Sequence, residues 1–514
     1  MKCLTMRRHA AALIAIAASA LLMGACAVET DPLTGSKVLA TAKQDVAEVR
    51  AEQPDPVDPL TLSQAQARAA LYNLEHRTEM MKIALKRGQI RLARLDMLPT
   101  LAAEAGYDIR NNEDGSRSES LITGQESLEP SKSTEEKTGT AELRLSWNIL
   151  DFGVSYYVAK QETDRFLIAK QARQKVLNNL MRQVRTAYWR SLAAQIMAAP
   201  VRKALSEARD ALDTVETLLE ERLKPPRDLL ERKRALLKMV QQLQSLSQRL
   251  TLARVDLARL IGLEPGATYE LAVPVHTGEL PTLTGDTKTL ELLALQNSTD
   301  VVSKMYSLRI ERAEARKSML RLLPGIELRG SLNYNSNDFL VHNTWAQAGA
   351  TLSAKLMRLL SLGEIREQNR LREDLTILRR RAGAITALSK IHIAIRRYQL
   401  ESKNYVNARE LADVERRIAE LSESVAARNV ESKVRRIRNR VRALRARLDR
   451  LGTYADVQDA YGKVLASLGL NPMPERYRRM NVDQLSENIE RNLQMWRAGD
   501  LPDPVEVANA GSTS

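Results

Sequence analysis

The sequence is poor in the residues that build a bulky core. Only three of its 514 residues are Phe, and aromatics make up 4% of the chain. Ala, Leu, Arg and Glu dominate instead, a composition that argues against a large globular enzyme and for long helices. Cysteine is almost missing: Cys3 and Cys26 are the whole complement, which excludes a disulfide framework. The five histidines, His9, His76, His276, His342 and His392, are scattered, and none stands at metal-ligand spacing. There is no phosphate loop, Gly-x-Ser-x-Gly or Cys-x-x-Cys, so neither a catalytic site, a cofactor nor a metal is expected. Asn111-Asn112-Glu113-Asp114-Gly115 lacks the spaced acidic ligands and closing Glu of a calcium loop and reads as a solvated loop. Beyond residue 26 no apolar run reaches 18 residues, so the mature chain has no candidate transmembrane helix. Any passage through a membrane must use strands in a closed barrel.

What is present begins with an address. Lys2, Arg7 and Arg8 precede an apolar stretch, Ala10 to Met23, that is too short to span a bilayer. Residues 1–25 therefore read as a signal peptide. Met23-Gly24-Ala25-Cys26 resembles a lipobox, in which the thiol of Cys26 is acylated and becomes the new N-terminus; Met23 stands where the pattern prefers Leu. The other reading is an ordinary signal peptide with an incidental Cys. Ala27, rather than Asp, follows Cys26, which in bacterial lipoproteins implies sorting to the outer membrane. The net charge of +15 would ordinarily suggest nucleic acid. Export makes that partner unexpected, and outer-membrane lipid becomes the expected one.

Residues 26–59 read as a lipid-anchored tether, followed by a helix capped by Thr61 or Ser63 that runs to about Leu98. The strongest organising signal is an internal duplication. Leu98-Pro99, Gly153, Tyr188 and Gly262-Leu263-Glu264-Pro265 recur in order as Leu323-Pro324, Gly363, Tyr398 and Gly469-Leu470-Asn471-Pro472. This gives a first repeat over 60–265, a linker over 266–285, a second repeat over 286–474, and a C-terminal helix with a disordered tail over 475–514. Each repeat holds two strands: Leu101 to Ile109 and Thr140 to Ile149, then Ile326 to Tyr334 and Trp345 to Leu356. Their alternation puts Glu142, Arg144, Ser146 and Asn148, and likewise Glu327, Arg329, Ser331 and Asn333, opposite apolar neighbours. Two readings compete, a soluble sheet on a core and a membrane barrel that is apolar outside and polar inside. Strand lengths near ten residues favour the barrel, with those eight residues facing a lumen. Four strands cannot close one, since about eight is the practical minimum, so the chain must oligomerise.

The stretch from Gly153 to Gly262 has one emphatic breaker, Lys224-Pro225-Pro226, and a weaker one at Pro200. Two antiparallel arms of ~50 residues would each reach about 75 Å. Pro225, Pro226, Arg227 and Asp228 mark one arm tip, and Arg428, Asn429 and Glu431 mark the other. After the second tip comes a run of arginines that includes Arg435, Arg438, Arg442 and Arg445. That run either lines a cationic lumen or is a solvated face paired with neighbouring carboxylates.

In Leu60-Thr61-Leu62-Ser63-Gln64-Ala65 with Asn73, Leu98-Pro99, Leu145 to Gly153 (LSWNILDFG), Asp228-Leu229-Leu230 and the two Gly-Leu-x-Pro ends, the chain resembles the TolC family of outer-membrane channel-tunnel proteins. The resemblance covers roughly residues 60 to 474. It implies a mixed α and β fold in which four transmembrane β-strands per protomer contribute to a trimeric 12-stranded barrel. Long antiparallel coiled-coil helices form a periplasmic α-barrel below it. It implies a homotrimer that docks onto a periplasmic adaptor protein and an inner-membrane transporter, and passive conduction in efflux or type I secretion rather than enzymatic work. The family's Gly-containing second tip with a constricting Asp is replaced here by Ala426-Ala427-Arg428-Asn429-Val430-Glu431-Ser432, so an acidic gate is not expected. The alternative is a non-conducting, periplasm-spanning structural lipoprotein.

Overall fold

The computed structural model describes residues 32–502 and 504, except 57–58, 128, 222–224, 265, 275–276, 426–429 and 475. Cys26, Arg428 and Asn429 lie outside the described residues, as does the tail from residue 505. The chain divides at Pro56 into two compact units. In the first, α1 spans Gly35–Ala51, is capped by Thr34, and buries no residue. A tether composition predicts no helix there; the Thr34 cap supplies the start that composition alone hides.

In the second unit, α2 (Leu62–Tyr72) begins with a capping box in which Thr61 and Gln64 bond each other's backbone. The single helix expected to run to Leu98 is in fact two. Asn73 leaves helical geometry at ψ 121° and its side chain accepts from His76 N, starting α3 (Leu74–Leu95). The same pair recurs as α6 (Thr287–Asn297, capped by Asp286) and α7 (Thr299–Leu320, capped by Ser298). Both repeats therefore open with helices of 11 and 22 residues.

Each short-long pair leads into strands: β1 (Thr100–Ile109) and β4 (Lys137–Asn148) in the first repeat, β5 (Gly325–Asn335) and β6 (Thr344–Ser353) in the second. A two-residue pair, β2 (Gly115–Ser116) and β3 (Ser131–Lys132), sits in the longer β1–β4 loop. Asn337 ties that loop to the shorter one, accepting from Glu135 N (3.2 Å) and donating to Ser133 O (2.9 Å). The sheet order is β1-β4-β5-β6, antiparallel throughout, so the repeats merge at the central β4–β5 pair. They do not fold as separate domains. The fourth strand ends at Ser353 rather than at Leu356, because Leu356–Ser361 winds into a 3-10 turn.

The arms are α4 (Ile149–Glu220, 72 residues) with α5 (Pro226–Leu260), and α8 (Leu362–Val425, 64 residues) with α9 (Val430–Ser467). At 1.5 Å per residue α4 alone is about 108 Å long. Pro226 opens α5 at a position whose N–H would be unpaired anyway. Pro200 does not end α4; the helix continues through it because Met197, Val201 and Ala204 are clamped in a core shared with α5 and α9. That arm core is Leu, Val, Ala, Met and Ile. The buried aromatics gather instead in a waist core with α2, α6 and a C-terminal helix, α10 (Val482–Ala498). There Trp189 meets Tyr454 edge-on at 4.8 Å, with Tyr188 and Tyr405 alongside. α10 buries Leu485, Ile489 and Trp496.

The duplicated Gly-Leu-x-Pro ends close α5 and α9 in the same way. Gly262 and Gly469 adopt φ of 77° and 71°, and the next residue's N–H bonds back to Ala258 O and Leu465 O, at 2.8 and 2.9 Å. At Gly469 a Cβ would come within 2.5 Å of Asn297, so glycine is needed there for space as well as for φ.

Candidate functional site

The ladder brings all eight strand residues named from sequence onto one face. Glu142 pairs with Asn333, Arg144 with Ser331, Ser146 with Arg329, and Asn148 with Glu327. Directly paired residues share a face, so the rows continue to Gln347 and Thr351 on β6 and to Glu104 on β1. The face is internally wired. Arg144 donates to both carboxylate oxygens of Glu142, through Nε and Nη2, and approaches Glu104 at 3.6 Å. Arg329 lies 3.6 Å from Glu327 and donates to Thr351 at 2.8 Å, and Asn333 donates to Ser331 at 2.9 Å. Asn148 has a second task that alternation could not reveal: its carboxamide oxygen caps α4, accepting from Leu150 and Asp151. Trp345 breaks the polar pattern, pairing with Asn333.

The opposite face carries Leu101, Leu143, Leu145, Leu328, Leu332, Tyr334 and Leu352, all exposed within the protomer. An exposed apolar face of this extent needs a covering. At its helical end lies an aromatic group, Trp147 with Phe152 (6.0 Å) and Tyr156 with Tyr157 (5.4 Å). Amphipathic rings at a sheet's rim match the aromatic girdles of membrane barrels. No helix among the described residues is long and apolar enough to cross a membrane.

At the first arm tip, Asp228 sits in the first turn of α5, where its charge meets the positive helix end, and Arg227 reaches Glu231 at 3.8 Å. Pro225 and Pro226 form the turn into that helix. Glu431 belongs to the first turn of α9, with its side chain outside the described residues. The arginine run splits in two. Arg435, Arg438 and Arg442 are exposed and form no ion pair among the described residues, whereas Arg445 reaches Asp449 on its own helix at 3.8 Å. Their spacing sets them on one line beside the apolar face of Ile437, Val441 and Leu444. Arg440 joins helices, bridging Glu207 on α4 and Glu423 on α8, and Arg450 reaches Asp413 on α8 at 3.9 Å. Nothing in the sequence context of Arg440 separates it from its neighbours.

Sequence reading also misses the role of the duplicated tyrosines. Tyr188 donates to Ala272 O (2.6 Å), and Tyr398 to Pro281 O. Tyr405 and Tyr454 add bonds to Gly278 O and Glu279 O, at 3.0 and 3.2 Å. The stretch between the repeats is thus strapped to the waist, and Leu271 bridges to Leu60 beside it. Among the described residues no group of three or more His, Cys, Asp or Glu could hold a metal.

A four-stranded sheet with one polar and one apolar face, carried on helices of up to 72 residues, is a mixed helical and sheet architecture of the kind found in TolC-like channel-tunnel structures. Residues 77–263 match the family model described as outer membrane efflux protein. No curated protein matches the sequence. The fold is that of solved outer-membrane channels. It is similar to the Campylobacter jejuni CmeC outer membrane channel, at 14% identity over 83% of this chain and 89% of that one, with a TM-score of 0.62. The open-state Neisseria gonorrhoeae MtrE outer membrane channel has 20% identity over 79% and 89%, with a TM-score of 0.55. The outer membrane protein VceC of Vibrio cholerae has 13% identity over 80% and 96%, with a TM-score of 0.57. The chain thus matches the outer membrane efflux protein family over residues 77–263 and shares the fold of these solved outer-membrane channels.

Proposed function

We propose that three copies close into a 12-stranded barrel continued by a helical duct, and that this duct is the outer-membrane channel of a tripartite efflux or type I secretion system. Cargo passes through it passively, from an inner-membrane transporter by way of a periplasmic adaptor protein, and the transporter supplies the energy. The signal peptide of residues 1–25 and acylation of Cys26 place and anchor it, with the barrel in the outer membrane and the arms in the periplasm. Glu142, Arg144, Ser146, Asn148, Glu327, Arg329, Ser331 and Asn333 then line the lumen.

One observation carries the reading: the protomer has two unfinished flanks that complement each other. Strands β1 and β6 are the edges of the sheet. An open edge is not tolerated in hydrocarbon. The helix that leads into β1, α3, exposes Met81, Leu85, Leu92 and Leu95, and the helix that follows β6, α8, exposes Leu371, Leu375, Leu378 and Ile385. Steps of three, four and seven residues keep each set on one line. Nearer the tips, Leu411, Val414, Ile418 and Leu421 of α8 face the same need as Leu230 and Leu237 of α5, and Leu252 and Val255 extend the exposed set toward the other end of α5. A head-to-tail ring satisfies edge and stripe together.

Purification from membranes tests this. The protein should be a trimer, carry acyl chains on an N-terminal Cys26 and give discrete conductance steps in planar bilayers. A folded trimer that stays silent even with Arg227 and Asp228 both changed to alanine to loosen the tip would favour the non-conducting strut.

A further inference from the structure

The second repeat contains an element that the first lacks. After β4 the chain enters α4 directly, with Asn148 as the cap. After β6 it instead makes the 3-10 turn Leu356–Ser361 before α8. Four of the six residues in that turn are large and apolar, and all four are exposed: Leu356 70%, Met357 78%, Leu359 52% and Leu360 77%. Three residues per turn stack positions i and i+3. Leu356 and Leu359 therefore form one edge, Met357 and Leu360 a second, and Arg358 with Ser361 a third, in line with Lys355. The turn is held as a unit, with Arg358 N donating to Lys355 O (2.9 Å) and Ser361 Oγ donating to Arg358 O (2.8 Å).

Its place in the fold says what covers it. Ser353 pairs with Gly325 at the helical end of the sheet, level with the entry to α4 at Asn148. Trp147, Phe152 and Tyr156 stand exposed at that same end, as do Leu98 and Leu323, the duplicated residues before each repeat's first strand. Two apolar edges and one cationic edge are the make-up of a segment lying in a lipid interface, with the apolar side among acyl chains and the basic side against phosphates.

We propose that Leu356–Ser361 is an interfacial anchor: Met357 and Leu360 insert into the periplasmic leaflet of the membrane, while Lys355 and Arg358 contact its phosphate groups. It fixes the depth of the barrel at the β6 edge of each protomer. The inference rests on the membrane-barrel reading, and tryptophan quenching separates the two. In the full-length protein with Trp147→Phe and Trp345→Phe, the remaining Trp189 and Trp496 are buried in the waist core. Adding Met357→Trp to that background, and reconstituting it in phospholipid brominated near the headgroup end of the acyl chains, should produce a loss of fluorescence. The loss should match that of the wild type, which retains Trp147. Quenching of the wild type without quenching of the Met357→Trp protein overturns the anchor and leaves the barrel standing, with a second copy as the turn's covering. No quenching in either protein removes the barrel and the anchor together.

Discussion

His76 is fully buried between Ala70 and Tyr477, a pairing across some four hundred residues of chain. Its Nδ1–H donates to Ala70 O at 3.1 Å, which leaves Nε2 to accept from the Tyr477 hydroxyl at 3.1 Å. Burial, helped by the positive charges of Arg173 and Arg478, lowers the imidazole pKa from 6.5 to about 4, against an opposing pull from the Ala70 bond. The folded protein therefore keeps the ring neutral, while the unfolded chain protonates it first as pH falls. The stability His76 contributes is complete above pH 6.5 and is lost as the pH drops toward 4, a window worth up to roughly 3 kcal/mol. Thermal unfolding of the wild type should thus weaken between about pH 7 and about pH 4.5 by more than that of His76→Gln. Equal losses in both proteins would clear His76 of the effect. None of this is legible in the sequence, where the same histidine is one of five scattered ones. The duplicated Tyr188 and Tyr398 are visible as landmarks, but their work on the linker depends on carbonyls about eighty and one hundred and twenty residues away.

At the scale of the element, the strands are the most legible part, because period-two alternation over about ten residues fits a strand and does not fit a helix. β1 and β5 lie within a residue of their expected ends. The misses have local causes. Asn73 carries both a cap and a break in one side chain, so the run from Leu62 to Leu95 looks continuous when only apolar spacing is followed. The backbone chemistry of Pro200 predicts a break or a kink, and packing on both sides carries the helix through it. The residues Leu356 to Leu360 are apolar enough to extend a strand pattern by sequence alone. The exposed stripes of α3 and α8 lead to a prediction at this scale. Leu85→Asp and Leu378→Asp each place a charge in a line meant for a neighbour's Leu, and each should convert trimers to monomers in detergent by sedimentation. Neither substitution touches the waist core, so far-ultraviolet circular dichroism should stay unchanged. Trimers that persist in both variants would mean that these stripes face something else.

Across the whole molecule, a charge of +15 is spread unevenly. Arg435, Arg438 and Arg442, which form no ion pair among the described residues, lie on the arm near its tip. A single sign of charge in a narrow, low-dielectric passage concentrates the opposite ion. Changing these three arginines together to glutamine should shift the reversal potential in a salt gradient away from anions. An unmoved potential would mean that the stripe is solvated on the outer surface. The fold of the whole is readable because its parts repeat in order. Which side of α9 faces a lumen is not, since that depends on copies of the chain and not on its own spacing.

The two unpaired edges of the sheet have a consequence for how the protein is made. A single chain carries a sheet that cannot enter the bilayer, because its outer N–H and C=O groups would have no partners there. On the proposed trimer, the species that inserts is the closed ring, and insertion waits on encounters between chains. Its rate then rises more steeply than the first power of the amount exported. Modest changes in synthesis would produce large changes in the number of finished pores, and a tether that confines chains to a surface would hasten those encounters.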